Sequence, residues 1–217
     1  MKNVFIIALI CTTLAANAQN NLDKKGYLEI GFSTLLLQPS EGDLKPFVGI
    51  SLNGGGFVSP NSYFGAEIGI CGLVSEDKVV GTFTYTYKGD SKTYTDGKIT
   101  LGYNAIPILG MWAYAPDVAR KVSLNIGPIL GTTIFQTVYR FTPTVENKPK
   151  MERQSKAAFC FGGEFAILFK TVSNASFGVI YRLLGNTETV INPVSAFGGD
   201  HFGGIKHQIK LAINVTF

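Results

Sequence analysis

The sequence predicts an all-β protein: an eight-stranded antiparallel transmembrane β-barrel, with short turns at one end and longer loops at the other. Three observations lead there. The chain opens on a secretory leader. Segments of two-residue period follow, joined by links that alternate strictly between short and long. The last segment, "HQIKLAINVTF" (His207 to Phe217), alternates Ile209, Leu211, Ile213, Val215 and Phe217 with Lys210, Ala212, Asn214 and Thr216. Charged residues make up only 16% of the chain, against a usual share of about 25%, while Gly is abundant at 25 and mean hydropathy is positive at +0.20. The net charge of +4 is mild and dispersed, and no basic helix or aromatic RNA-binding motif accompanies it, so no nucleic-acid partner is expected.

The leader reads "MKNVFIIALICTTLAANAQN". Lys2 supplies the charged start, Val4 to Ala16 the apolar run, and Ala16-Asn17-Ala18 a small-residue cleavage site. The run is shorter than the roughly 20 residues a membrane helix needs. The expected division is a signal peptide over 1–18 and a barrel domain over 19–217. Cys11 lies inside the apolar run and does not suit lipidation.

The elements then follow in order. Eight strands are expected: Gly26 to Gln38, Lys45 to Val58, Ser62 to Val74, Lys98 to Ala115, Arg120 to Arg140, Ser155 to Lys170, Ala175 to Gly185, and Lys206 to Phe217. Most carry period two and none a convincing helical period. "SPNS", "PDVA" and "TVSN" are tight turns built from Pro, Asn, Asp and Ser. The longer links are "PSEGDL", "SEDKVVGTFTYTYKGDSKTYTDG", "FTPTVENKPKMERQ" and "NTETVINPVSAFGGDHFGGI". Short periplasmic turns and long external loops are the asymmetry of an outer-membrane barrel, and a soluble sandwich has no reason to sort its loops this way. Within the second long link, Thr and Tyr alternate on both sides of "KGDS", which predicts a hairpin extending the sheet beyond the membrane.

Alternation assigns the faces. On the first strand Leu28, Ile30, Phe32 and Leu36 oppose Tyr27, Glu29, Gly31 and Ser33. On the sixth, Phe159, Phe161, Phe165, Ile167 and Phe169 oppose Cys160, Gly162, Glu164 and Lys170. On the seventh, Phe177, Val179, Tyr181 and Leu183 oppose Ser176, Gly178 and Arg182. Apolar outward and polar inward is the lipid-facing pattern. A closed barrel has no free edge, so the last strand is expected to pair with the first. A chain closing at Phe217 then sets an aromatic ring at the periplasmic interface. Phe217, Val215 and Ile213 together resemble the terminal signal that the barrel assembly machinery reads.

At the fourth strand "YNAIPILGMWAY" (Tyr103 to Tyr114) resembles a recurrent phrase of the outer-membrane protein β-barrel domain family, the PorT-like small barrels. "LNIGPILG" (Leu124 to Gly131) resembles that family's next strand and "YRLLGNT" (Tyr181 to Thr187) its penultimate one. The resemblance spans most of the mature chain, and its motifs are specific in combination. This chain has Ala105 where family members often carry an acidic residue. The family implies an eight-stranded barrel in the outer membrane of a Gram-negative-type bacterium, and no particular activity. Pro107 removes a ladder donor, so a bulge or local break in pairing is expected there.

The inward faces carry Glu29, Glu67, Glu164 and Arg182, with Tyr27, Tyr63, Tyr103 and Met111 supplying bulk. A charge in a narrow lumen must be paired or wetted, so these four predict an ion network plugging the barrel. Arg182 is expected to bridge at least one glutamate, Glu29 first. The rival is a cation path lined by the same carboxylates. Cys71 and Cys160 face inward from strands three apart, roughly 15 Å in a barrel of this size, too far for a disulfide. Asp200 and His201 in "GGDHFGG" are more simply an exposed loop than a metal or catalytic pair, which needs three or four convergent ligands. There is no phosphate-binding loop, nucleophile elbow or metal-spaced Cys pair. No cofactor, metal or catalytic residue is expected. The third long loop sets Arg140, Lys148, Lys150, Arg153 and Lys156 against Glu146 and Glu152, a surplus that could meet lipopolysaccharide phosphates. The leading function is a non-enzymatic structural, adhesive or envelope and secretion accessory role, with outer-membrane lipid and an unidentified envelope protein as partners. A narrow channel for small or apolar solutes is the alternative, and a lipid-modifying enzyme comes after it.

Overall fold

The computed structural model describes residues 26–37, 45–87, 90–143, 150–172, 174–187, 190–191, 200–201 and 204–217. The expected leader over 1–18 lies outside them. Eight long strands form one sheet: β1 (Gly26–Leu37), β2 (Lys45–Ser59), β3 (Ser62–Tyr87), β4 (Asp90–Tyr114), β5 (Val122–Pro143), β6 (Lys150–Val172), β7 (Ala175–Asn186) and β8 (Gly204–Thr216). Every neighbour is antiparallel. β4 pairs with β5, and β1 pairs with both β2 and β8, so the sheet closes on itself. The β1–β8 ladder runs from Tyr27↔Thr216 to Leu37↔Lys206. It is finished by Phe217, whose N–H donates to Gly26 O at 3.0 Å and whose carbonyl accepts from Gly26 N at 2.8 Å.

Period two explains which face each residue takes. Leu28, Ile30 and Phe32 stand outward, Phe32 with 62% of its surface exposed, as do Phe159, Phe161, Phe165, Phe177, Val179, Leu211 and Ile213. So much exposed apolar surface is incompatible with water but is what a bilayer requires. The alternate residues fill the lumen, because eight strands leave room only for side chains. The wall must thin where long side chains pass: Gly31 lies under the Lys210 stem, whose Cγ is 2.8 Å from where a Cβ would stand.

The hairpin expected in the second long link is present, while several strand bounds are corrected. β3 runs on to Tyr87 and β4 back from Asp90, past the expected bounds at Val74 and Lys98, so most of that link is strand. Its Thr and Tyr residues suit a pleated surface, and the ladder continues past the apolar belt. β6 likewise begins at Lys150, not Ser155. "PDVA" is not a simple turn: Asp117–Ala119 is a short strand folded against β5, and the turn falls at Arg120–Lys121. At Pro107 the β3–β4 ladder skips Gly69 and Ile70 while register holds from Glu67↔Leu109 to Leu73↔Tyr103, and the bulge falls later, between Leu73 and Glu76. Gly69 leaves room for the Pro107 ring, whose Cγ would lie 3.1 Å from a Cβ there.

Candidate functional site

The lumen is filled in three layers. At the end carrying Gly26, Phe217 and the short turns, periplasmic in such barrels, Tyr27, Phe57 and Tyr63 pack edge to face. Their ring centroids are 4.6 Å apart for Tyr27–Tyr63, 5.7 Å for Phe57–Tyr63 and 6.2 Å for Tyr27–Phe57. At the external end Leu35, Phe47, Tyr103, Phe135 and Phe141 are buried together. Lys206 is also buried there, with its Nζ 4.0 Å above the Phe135 ring. Turning the Asn186 amide over lets its oxygen accept from Lys206 Nζ at 2.7 Å.

Between these layers lies a chain of charge. Arg182 Nη1 and Nη2 donate to the two oxygens of Glu67 at 2.7 and 2.8 Å, and Nε donates to Glu164 Oε2 at 2.7 Å. Lys210 Nζ donates to Glu67 Oε2 at 2.7 Å and to Glu29 Oε1 at 2.5 Å. Arg182 and Lys210 are 0% exposed, and the three glutamates are nearly as buried. Gln208 Oε1 accepts a further Arg182 bond at 3.3 Å, and Asn53 links Glu29 to the Tyr27 hydroxyl. The network therefore ties β1, β3, β6, β7 and β8 together across the barrel axis. A bidentate Arg–carboxylate pair is directional as well as strong, so Glu67 and Arg182 act as a strut across the lumen.

The four charged residues expected to meet inside the barrel all lie there, and Arg182 bridges two glutamates, Glu67 and Glu164; only the preference for Glu29 is overturned. Glu29 is held by Lys210, not Arg182, because Arg182 is taken up by Glu67 and Glu164. Lys210 and Gln208 were missed. The available signal was parity: both alternate with Ile209 and Leu211 and so point inward. Ile213, Val215 and Phe217 stand outward and exposed. Cys71 and Cys160 are buried and unbridged, and Cys71 Sγ lies 3.7 Å from Ser33 Oγ. Asp200 and His201 pair as backbone with Ile191 and Val190, and their side chains lie outside the described residues. Among the described residues no three of His, Cys, Asp and Glu converge. On the outer face, Tyr181 OH and His207 Nδ1 are 2.7 Å apart.

Among the described residues the wall runs further out on one side than on the other. β2 pairs with β3 only as far as Val48↔Gly72, and β6 meets β7 only from Cys160↔Asn186. β3 to β6 nonetheless continue together past those points. They make a four-stranded sheet in which, among the described residues, β3 has no ladder partner on its β2 side from Leu73 onward. Arg140 and Arg153 are exposed on its outer face, diagonal neighbours across the β5–β6 ladder. Lys148 lies outside the described residues, as do the side chains of Lys150, Glu146 and Glu152.

No protein-family model matches the chain, and no curated protein matches it. Solved structures do. The attachment invasion locus protein Ail of Yersinia pestis is 11% identical, with a TM-score of 0.51 over 88% of this chain and 97% of that one. Neisserial surface protein A is 10% identical, with a TM-score of 0.51 over the same 88% and 97%. At that identity the likeness is one of fold. Together with the apolar outer belt, it makes this chain an eight-stranded antiparallel β-barrel of the outer membrane.

Proposed function

We propose that this barrel is non-enzymatic and does its work outside the membrane, as an adhesive or accessory protein that presents the β3–β6 sheet to a partner. The observation that carries the reading is the closed lumen. The Glu67–Arg182 strut fills the space a solute would need, while among the described residues β3 has an edge without a ladder partner from Leu73 onward. An unpaired edge accepts another strand by backbone hydrogen bonding. Arg140 and Arg153 suit the phosphates of lipopolysaccharide in the outer leaflet. The PorT-like resemblance supports an accessory part in envelope assembly or secretion. A mature start at Gln19 and delivery by the barrel assembly machinery through Ile213, Val215 and Phe217 belong to the same reading.

Two measurements test it. Purified protein in planar bilayers should show no steady conductance. Crosslinking from intact outer membranes through a photoreactive residue at Thr82, on the β3 edge, should capture an envelope protein. Steady, cation-selective current that Glu29→Gln alters would replace this reading with transport.

A further inference from the structure

On β8 the outward alternates from Ile205 to Phe217 are apolar at every position except His207. His207 is exposed, and its Nδ1 lies 2.7 Å from the hydroxyl of Tyr181 on β7, with ring centroids 6.0 Å apart. Tyr181 also stands outward, at 40% exposure. Beside the pair the Phe161 ring lies over Gly185, its Cζ 2.8 Å from where a Cβ would stand. Phe159 stacks on Phe161 with centroids 6.3 Å apart. The lipid-facing wall thus carries an aromatic cluster with one polar end, and a polar group facing hydrocarbon needs a hydrogen-bond partner.

Depth decides what that end meets. His207 stands ten residues before Phe217 on the same strand. At a rise of about 3.3 Å per residue and a tilt of about 40°, it lies on the order of 25 Å above the periplasmic interface, the full height of the apolar band in such barrels. The described ladders around it end near that level: β1 runs to Leu37, opposite Lys206, β7 to Asn186, and β8 begins at Gly204. His207 is therefore at the outer boundary of the hydrocarbon, where aromatic side chains meet headgroups. Arg140 and Arg153 belong to a different level. Arg153 lies six residues beyond Phe159 on β6, on the order of 15 Å further out.

We infer that His207 is a lipid-phosphate contact: its Nε2–H donates to a phosphate oxygen of an outer-leaflet lipid, and Tyr181 positions the ring for this bond. The tautomer follows from what each nitrogen faces. A neutral imidazole has one donor and one acceptor nitrogen. With the Tyr181 hydroxyl donating to Nδ1, the ring proton sits on Nε2. The reverse arrangement turns an acceptor nitrogen toward headgroup ester and phosphate oxygens, which accept as well. A bond to phosphate is charge-assisted and stronger than one to an ester oxygen. The contact fixes the height of β7 and β8 in the membrane. It rests on the barrel's place in the outer membrane alone, and is independent of what the β3–β6 sheet binds.

The test uses the full mature chain carrying His201→Gln, which leaves His207 as the single histidine, labelled with ¹⁵N. The protein is reconstituted at mildly alkaline pH into vesicles of phosphatidylethanolamine and phosphatidylglycerol, with and without lipopolysaccharide. Solid-state NMR should show a neutral ring protonated at Nε2, with that nitrogen dephased by ³¹P. Dephasing in both vesicles assigns a phosphate of either lipid. Dephasing only with lipopolysaccharide assigns the lipopolysaccharide phosphates, and dephasing only without it assigns the phospholipid. Tyr181→Phe, checked for folding by its heat-modifiable band, should mix the two tautomers and cut the dephasing by at least half. Should that variant not fold, the tautomer and dephasing of the parent decide. A ring protonated at Nδ1, no ³¹P dephasing in either vesicle, or a folded Tyr181→Phe protein with the parent's spectrum would overturn the proposal.

Discussion

Replacing Arg182 with alanine strips the lumen of its strut. The guanidinium is wholly buried and makes three short bonds, two to Glu67 and one to Glu164. Its loss leaves Glu67 with Lys210 alone and Glu164 with no cation among its described partners, and within this network of three glutamates, Arg182 and Lys210 it raises the carboxylate excess from one to two. Removing one member of a buried pair costs about 3–5 kcal/mol, most of it the penalty of stranding the other charge. The vacated space is polar and can admit water, which moves the expectation to the lower end, about 3 kcal/mol. The assay is urea unfolding of the barrel in detergent micelles, read by tryptophan fluorescence and by heat-modifiable gel migration. Arg182→Met combined with Glu164→Gln returns the excess to one charge and keeps the volume, so it should recover most of the loss. Conductance should stay low in both variants, because the aromatic layer below and the Leu35–Phe47–Phe135 layer above remain. A loss under about 1 kcal/mol for Arg182→Ala, the scale of a surface pair, would refute the reasoning. So would a double variant no better than the single one.

Gly31→Val should cost more than an ordinary strand substitution, because its side chain would meet the Lys210 stem and Ser51 Oγ; failure to show the heat-modifiable band checks it. Cys71 and Cys160 should stay reduced and resist maleimide until the barrel unfolds, since both are buried, and mass spectrometry of native and denatured protein reads this. Deleting Phe217 should slow assembly into liposomes more than it lowers the unfolding midpoint of barrels already formed. It removes only the terminal rung of a ladder that begins again at Tyr27↔Thr216.

What could be read from residues alone follows from what a period of two encodes. It fixes the face of a side chain, so Tyr27, Glu29, Glu67, Glu164 and Arg182 were placed inside from their neighbours. It says nothing about which inward residues share a depth, because that depends on strand tilt and on the stagger at closure. Glu67 on β3 meets Arg182 on β7 across the barrel, 115 residues away, a contact no local pattern carries. Glu29 and Lys210 are not ladder partners either: Glu29 lies opposite Asn214 and Lys210 opposite Ser33, and the long lysine stem reaches diagonally over Gly31 to join them. The external hairpin was legible for the converse reason. Thr and Tyr alternate on both sides of its turn, so Thr82 to Thr95 reads as a strand pair even where no apolar face is demanded, and the structure pairs Thr82↔Thr95 through to Tyr87↔Asp90. Local pattern carries a hairpin because both its strands lie side by side in the sequence. The lumen's depth order is instead a property of closure: it arises where β1 meets β8, and no single strand contains it.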